Sequence, residues 1–247
     1  HESVFKPFRE KDVLDRILSA NPGPLPAEHL QAIYREILSS SRRLQRPERV
    51  VYLGPEGTFS YFVGLETLGR SVDMLPKASF DDIFAAVVTE EADLGIIPLE
   101  NSFQGSVGRN LDLFMRYPVQ IQAEAVARVS IALLSQAGSM AEVTKVYSHP
   151  KALEQCELWL KKNLPAARVI PADSTAAAAR MVAENPDSAA VGHVRLADIY
   201  GLRVLAEHLE DLPDNWTRFL VIGTEPTAEG VRDKTSILFA TPDKPGA

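Results

Sequence analysis

Hydrophobic positions change their period near residue 49. Before it they recur at helical spacing. Val13, Leu14, Ile17 and Leu18 share one face of a helix predicted over 9–19, and Leu30, Ile33, Tyr34, Ile37 and Leu38 form an i, i+3, i+4, i+7, i+8 stripe on a second helix. The stretch 21–26, Asn-Pro-Gly-Pro-Leu-Pro, breaks the pattern between them. Continuing the second stripe reaches polar Ser41 and Gln45, and Glu10 sits on the apolar side of the first helix, one turn before Val13 and Leu14. Two short helices cannot bury such faces alone, so a partner segment or chain is expected. Charged residues and Pro47 then form a linker.

Beyond residue 49 short apolar runs alternate with helical stretches. Strands are predicted over 50–53, 72–75, 93–97, 143–147, 168–171 and 189–192, most of them followed by a helical segment. One helix opens after Gly57-Thr58, Ser79 caps another through Val88, and Ser106 starts a third through Met115. This is the βαβ pattern of parallel sheets with helices on both faces. The apolar stretch 121–134 crosses between two such units, and a strand over 217–222 returns to the first. The expected architecture is therefore two α/β lobes, 47–128 with 213–226 and 129–212, with a cleft between them. A further strand is predicted over 235–240. A start at His1 and an end at Ala247, just after that strand, suggest a piece of a longer protein.

Composition narrows the class. With 247 residues, 45% of them hydrophobic and 24% charged, the chain can form one large or two small domains with substantial cores. A net charge of −7 argues against nucleic acid as the main partner. It leaves room for a small anion, which one Arg and a few helix N-termini can hold. The single cysteine, Cys156, excludes an intrachain disulfide framework and fits a reducing cytosol, so a cytoplasmic location is expected. No apolar run reaches the roughly 20 residues of a membrane span, and no signal peptide pattern is visible.

Candidate chemistry gathers where strands meet turns. Residues 214–219, Asp-Asn-Trp-Thr-Arg-Phe, lead straight into an apolar strand, so a hydroxyl and a guanidinium stand side by side at its mouth. A neutral donor next to a fixed cation suits a small anionic substrate that loses an oxygen. Residues 54–60, Gly-Pro-Glu-Gly-Thr-Phe-Ser, open a helix whose free N–H groups attract anions. They form neither a dinucleotide fingerprint nor a phosphate loop, and they read also as a tight turn capped by Thr58. Residues 100–107, Glu-Asn-Ser-Phe-Gln-Gly-Ser-Val, cluster small polar groups at the usual ligand edge of a parallel sheet, or else form a capped loop. Residues 148–156, Ser-His-Pro-Lys-Ala-Leu-Glu-Gln-Cys, offer Ser148 as an N-cap, Pro150 in the first turn, and His149 as either a proton-transfer group or a structural one. Cys156 shares a face with Ala152 and Leu153, which points to burial. Ser174 and Thr175 precede an Ala run, as cap or as ligand hydroxyls. No metal-ligand cluster, Cys pair, Gly-x-Ser-x-Gly elbow or pair of catalytic carboxylates is present.

In order and spacing these motifs, with 215–219, Asn-Trp-Thr-Arg-Phe, resemble prephenate dehydratase over 50–223. The resemblance implies a two-lobed α/β fold like that of type II periplasmic binding proteins. It implies decarboxylating dehydration of prephenate to phenylpyruvate in phenylalanine biosynthesis, without cofactor or metal. It casts Thr217 as donor to the departing hydroxyl and Arg218 as partner of a substrate carboxylate. Thr58, Phe59, Asn101, Ser102, Ser148, Gln155, Ser174, Thr175, Asn215 and Phe219 would contact the substrate. Residues 1–46 resemble the second and third helices of an all-helical chorismate mutase, with Arg9, Glu10, Ser41 and Gln45 at its polar active-site positions. That family's basic first helix has no counterpart here, so the mutase site is incomplete. Residues 233–247 resemble the first strand of an ACT regulatory domain, which implies L-phenylalanine as effector of a bifunctional parent and a homodimer. Two other readings stay open: arogenate dehydratase, whose substrate differs by an amino group, and a non-catalytic two-lobed module that binds a small anion.

Overall fold

A computed structural model describes residues 5–103, 105–106, 108–212, 214–226 and 234–237. Helices α1 (Pro7–Ser19) and α2 (Ala27–Gln45) come first. Then follow β1 (Arg49–Leu53), α3 (Phe59–Leu68), β2 (Asp73–Lys77), α4 (Phe80–Val88), β3 (Leu94–Asn101), β4 (Gly105–Ser106), α5 (Gly108–Arg116) and β5 (Gln120–Arg128). The second half contains β6 (Ala132–Ser135), β7 (Lys145–Ser148), α6 (Pro150–Gln155), α7 (Glu157–Asn163), β8 (Arg168–Pro171), α8 (Thr175–Ala183), β9 (Ser188–Gly192), α9 (Leu196–Tyr200) and β10 (Arg203–Ala206). Last comes β11 (Trp216–Gly223).

The strands form two mixed sheets. The first runs β2-β1-β3-β11-β5, with β4 beside β3, and the second runs β10-β6-β9-β7-β8. β1 is parallel to β2 and β3, whereas β11 is antiparallel to both β3 and β5. The chain therefore crosses between sheets twice, after β5 and again before β11. Each sheet is covered on both faces. Phe62 aside, the apolar side chains of α3 pack on one face of the first sheet, with Val50, Tyr52, Ile96, Phe219 and Val221, and those of α4 and α5 on the other, with Val51, Ile97, Leu220 and Ile222. α6 and α7 cover one face of the second sheet, and α8 and α9 the other. The stretch expected to be one apolar crossing, 121–134, is two strands, β5 and β6, separated by the crossover itself. Residues 234–237 have no regular secondary structure, and the rest of the strand expected over 235–240 lies outside the described residues.

The two N-terminal helices dock on the first lobe through polar rather than apolar groups. Ile33 and Ile37 on the predicted stripe of α2 stay about half exposed, at 49% and 50%, while Ser39 and Arg42 are buried. What α2 meets explains this. It lies against the end of α3, where carbonyl and N–H groups lack helical partners. Arg42 donates to the Leu68 carbonyl and to both oxygens of Glu10 at 2.5 Å, and its guanidinium stands 5.2 Å from the Phe5 ring centroid. Ser39 Oγ accepts from the Ser71 N–H at 3.1 Å. Gly69, at φ +85°, lets the chains approach closely, since a Cβ there would come within 2.4 Å of Ser39 Cβ.

Glu48, 4% exposed, lies 3.3 Å from Arg42 Nε. Burial pushes its pKa up to about 7 against the pull of Arg42, whose charge Glu10 already matches. Glu10 and Asp93 push it the same way as burial, and Arg46 opposes. Because the folded value lies above the ordinary 4.5, the stability carried by protonated Glu48 is complete below pH 4.5 and is lost as pH rises through about 7. Glu48→Gln, which cannot ionise, should therefore gain on the parent chain by up to about 3 kcal/mol between pH 5 and pH 8. Urea unfolding at the two pH values measures this, and a difference that does not change with pH would contradict it.

Candidate active site

The two crossovers lie side by side. The Val129 N–H donates to the Asn215 carbonyl at 2.8 Å, and the Leu209 N–H donates to the Ile131 carbonyl at 2.9 Å. β11 starts immediately after this junction, so Thr217 enters the first sheet at the boundary between lobes. In register it faces Asn101 on β3 and Ala127 on β5. Pro98, which has no N–H to give, stands where the β3–β11 register slips between Arg218 and Phe219. Its carbonyl accepts from Asn110 Nδ2 at 2.5 Å, and Asn110 is a fully buried residue that no sequence signal marked.

Asn101 organises the polar groups here. Its Oδ1 accepts from the Phe103 N–H at 3.0 Å, which fixes which way the amide faces. Its Nδ2 lies 2.8 Å from Asn215 Oδ1, 2.9 Å from Thr217 Oγ1 and 3.2 Å from the Trp216 carbonyl. Thr217 Oγ1 thus serves as acceptor, and its own hydrogen has no acceptor among the described residues. Thr217 and Asn215 are 8% and 2% exposed. Ser102 straps the same corner. Its N–H donates to the Trp216 carbonyl, its hydroxyl donates to the Asp214 carbonyl, and it accepts from the Trp216 N–H. Asn101, Ser102, Asn215 and Thr217 are therefore brought together, with Ser102 occupied in holding the strand.

Arg218 is not beside them. Neighbouring residues of a strand face opposite ways. Thr217 shares its face with Phe219 and Val221, whereas Arg218 lies on the face toward α4 and α5. There it donates to Glu124 at 3.0 Å, and Lys234 binds the same carboxylate at 3.0 Å. Burial raises the pKa of Glu124, but these two cations outweigh it and hold it below the ordinary range. Thr217 and Arg218, expected to converge on one substrate, thus point to opposite faces of β11. Phe219, 3% exposed, fills the core rather than offering a face to a ligand.

Several other candidates spend their hydroxyls on the backbone. Thr58 precedes α3 but donates to the Leu53 carbonyl at 2.9 Å instead of capping the helix. Ser148 is not an N-cap. It is the last residue of β7, fully buried, and donates to the Val191 carbonyl at 2.5 Å. His149 caps α6 instead, its Nδ1 accepting from the Lys151 N–H, and burial followed by the Lys151 charge lowers its pKa. Gln155 ends α6, where its carbonyl accepts from the Asp211 N–H. Cys156 is buried at the break between α6 and α7, and burial pushes its thiol well above the usual range. Ser174 does cap α8, accepting from the Ala177 N–H at 2.9 Å, with Thr175 8% exposed behind it. The mutase resemblance singles out four residues on α1 and α2. Arg9, Ser41 and Gln45 are exposed, Ser41 bonds back to the Ile37 carbonyl, and Glu10 is held by Arg42.

The lobes touch around the start of α3. A Cβ on Gly57, at φ +86°, would come within 2.5 Å of Leu196 and 3.4 Å of the Ala176 methyl, so only Gly admits this approach. The N-terminal ends of α3 and α8 thus meet across the boundary, and both carry partial positive charge. Phe59 packs against the cores of both lobes, and Phe62 of α3 reaches into the second. Arg195 stacks over the Phe62 ring at 4.8 Å and lies 3.4 Å from Glu66.

Known proteins share this organisation. The family model described as prephenate dehydratase matches residues 50–227, and the one described as chorismate mutase type II matches residues 1–46. Bifunctional chorismate mutase/prephenate dehydratases from Aquifex aeolicus and Neisseria gonorrhoeae are each 42% identical over 248 residues, covering 99% of this chain and 68% of their own length. The solved prephenate dehydratase of Arthrobacter aurescens, in complex with L-Phe, superposes with a TM-score of 0.66 at 30% identity, covering 76% of this chain and 63% of that one. A matched model over most of the chain, relatives at 42% identity along nearly all of it, and the paired sheets joined by two crossovers agree: this chain belongs to the prephenate dehydratase family and carries a chorismate mutase type II segment at its N-terminus.

Proposed function

We propose that this chain binds prephenate between its lobes and converts it to phenylpyruvate, carbon dioxide and water. The observation that carries this reading is the Asn101–Thr217 pair. A neutral amide occupies the acceptor side of the Thr217 hydroxyl at 2.9 Å and leaves its O–H free to donate. In the reaction the bond from the ring to its carboxylate breaks. Its electron pair moves through the ring as the bond to the hydroxyl breaks, and the oxygen leaves as hydroxide that takes up a proton from solvent water to become water. Gain of aromaticity supplies the driving force, so the protein's tasks are to hold the ring and assist the departing oxygen. A Thr hydroxyl is too weak an acid to give up its proton outright at neutral pH. Thr217 therefore acts by a hydrogen bond to the departing oxygen, aimed before the reaction begins.

The substrate is a dianion and Arg218 is engaged with Glu124. Positive potential in the cleft comes instead from the facing N-termini of α3 and α8, whose first N–H groups and dipoles favour carboxylates. Phe59, which packs against both lobes, offers an apolar edge for the ring. A carboxylate drawn out of water between the lobes loses carbon dioxide more readily. We further propose that the dehydratase unit divides into lobes at 47–128 with 213–226 and 129–212. L-phenylalanine acts as effector through a regulatory segment beginning near 233, the working form is a homodimer, and the location is cytoplasmic. In support of the effector, the Arthrobacter relative forms a complex with L-Phe.

Incubation of the chain with prephenate should yield phenylpyruvate, read by its absorbance, at a rate well above its rate with arogenate. Turnover of arogenate alone would move the assignment to that substrate, and turnover of neither would end it. Thr217→Val should lower kcat by about 10²-fold while Thr217→Ser retains most of it, and a Val variant at the parent rate would remove Thr217 from the chemistry. Because the donor does not titrate and His149, held below its ordinary value of 6.5, is already neutral, kcat should stay flat from pH 7 to pH 9. A steady fall across that range would assign the proton to a titrating group instead.

A further inference from the structure

His193 follows the last residue of β9 and enters none of the roles above. Its ring is nearly parallel to Phe62, with centroids 4.3 Å apart and planes at 26°, and meets Phe59 edge-on at 5.3 Å. Both phenyl rings belong to α3 of the opposite lobe, so the imidazole is held at the lobe boundary. It stands on the same C-terminal sheet edge as Ser148, since β7 and β9 are parallel neighbours. The preceding residue, Gly192, lies against Thr175 at the start of α8: a Cβ there would be 3.2 Å from the Thr175 Cβ. The Arg195 N–H donates to Nδ1 at 3.2 Å, which places the proton of the neutral ring on Nε2. That N–H has no acceptor among the described residues. Burial, and then the Arg195 charge, lower the pKa to about 4, so the ring is neutral at working pH.

A phenyl ring would fill an aromatic slot between Phe59 and Phe62 without any polar cost. The chain instead places there a half-buried ring with one nitrogen satisfied and one N–H that no described protein group occupies, so a donor stays open to a ligand at the lobe boundary. We propose that His193 is a further substrate-binding residue of the dehydratase reaction, whose Nε2–H donates to an anionic oxygen of the substrate between the lobes. This rests on the prephenate reading above. Because Phe59 and Phe62 hold the ring from the other lobe, the donor is in place only when the lobes meet, and substrate binding is thereby tied to their closure.

His193→Phe keeps a stacked ring and removes the donor, while His193→Gln keeps a donor and removes the ring. We expect His193→Phe to raise KM for prephenate by about 10-fold or more, with kcat changed less than about threefold and thermal unfolding unchanged. His193→Gln should recover most of the lost affinity. A Phe variant with the parental KM, or a Gln variant as weak as the Phe variant, would overturn the proposal and leave only a spacer role. If His193→Phe fails to fold, His193→Met against His193→Gln decides on the same terms. The parent chain is assayed alongside: an active parent with an indifferent His193→Phe refutes the His193 role alone, whereas an inert parent refutes the dehydratase reading itself, and this inference with it.

Discussion

The bond from the Asn101 amide to the Thr217 hydroxyl is the constraint on which the rest turns. It exists because β3 and β11 pair antiparallel in the register that sets these two residues opposite each other. That register depends in turn on Pro98, on the slip beside it, and on Asn110 reaching back from α5 to satisfy the Pro98 carbonyl. It depends also on the chain leaving the first lobe after β5 and returning as β11, with the two crossovers bonded through Val129 and Asn215. Once the Phe103 N–H has fixed the amide, Thr217 Oγ1 accepts from it and keeps its own O–H free to donate, which is what the proposed role of Thr217 requires.

The lobe boundary supplies the remaining conditions. Close approach at Gly57 brings two helix N-termini together, and their dipoles add to the positive charge of Arg195 at the same boundary. The aromatic contacts of α3 with His193 and Arg195 also cross this boundary, so the packing there rests on the same few residues to which substrate binding is assigned by proposal. On the back of β11, Arg218, Glu124 and Lys234 form a separate charge group. It braces the strand that carries Thr217 against the segment that follows the dehydratase core.

Much of the fold was legible because burial imposes a period. Strands buried on both faces, such as β1 and β9, read as apolar runs, and the Ser79 and Ser174 caps read as polar punctuation before the helices α4 and α8. The edge strand β10, half-exposed over 203–206, carries no such signal. The motif positions were legible but their orientations were not. Adjacent residues look equivalent in a sequence, yet strand alternation puts Thr217 and Arg218 on opposite faces. Whether a hydroxyl donates to a ligand or to the backbone depends on tertiary partners, and Thr58 and Ser148, which looked free, donate to backbone carbonyls. The same holds for Arg42, whose burial is decided by the end of α3, and for His193, whose only sequence signal is a polar residue just past an apolar strand.

A double-mutant cycle on kcat tests the central claim most directly, because it measures whether Asn101 acts through Thr217. The account predicts that Asn101→Ala lowers kcat substantially when Thr217 is present and hardly at all in the Thr217→Val background. Losses that simply multiply would show that the two side chains act independently, and would contradict the account.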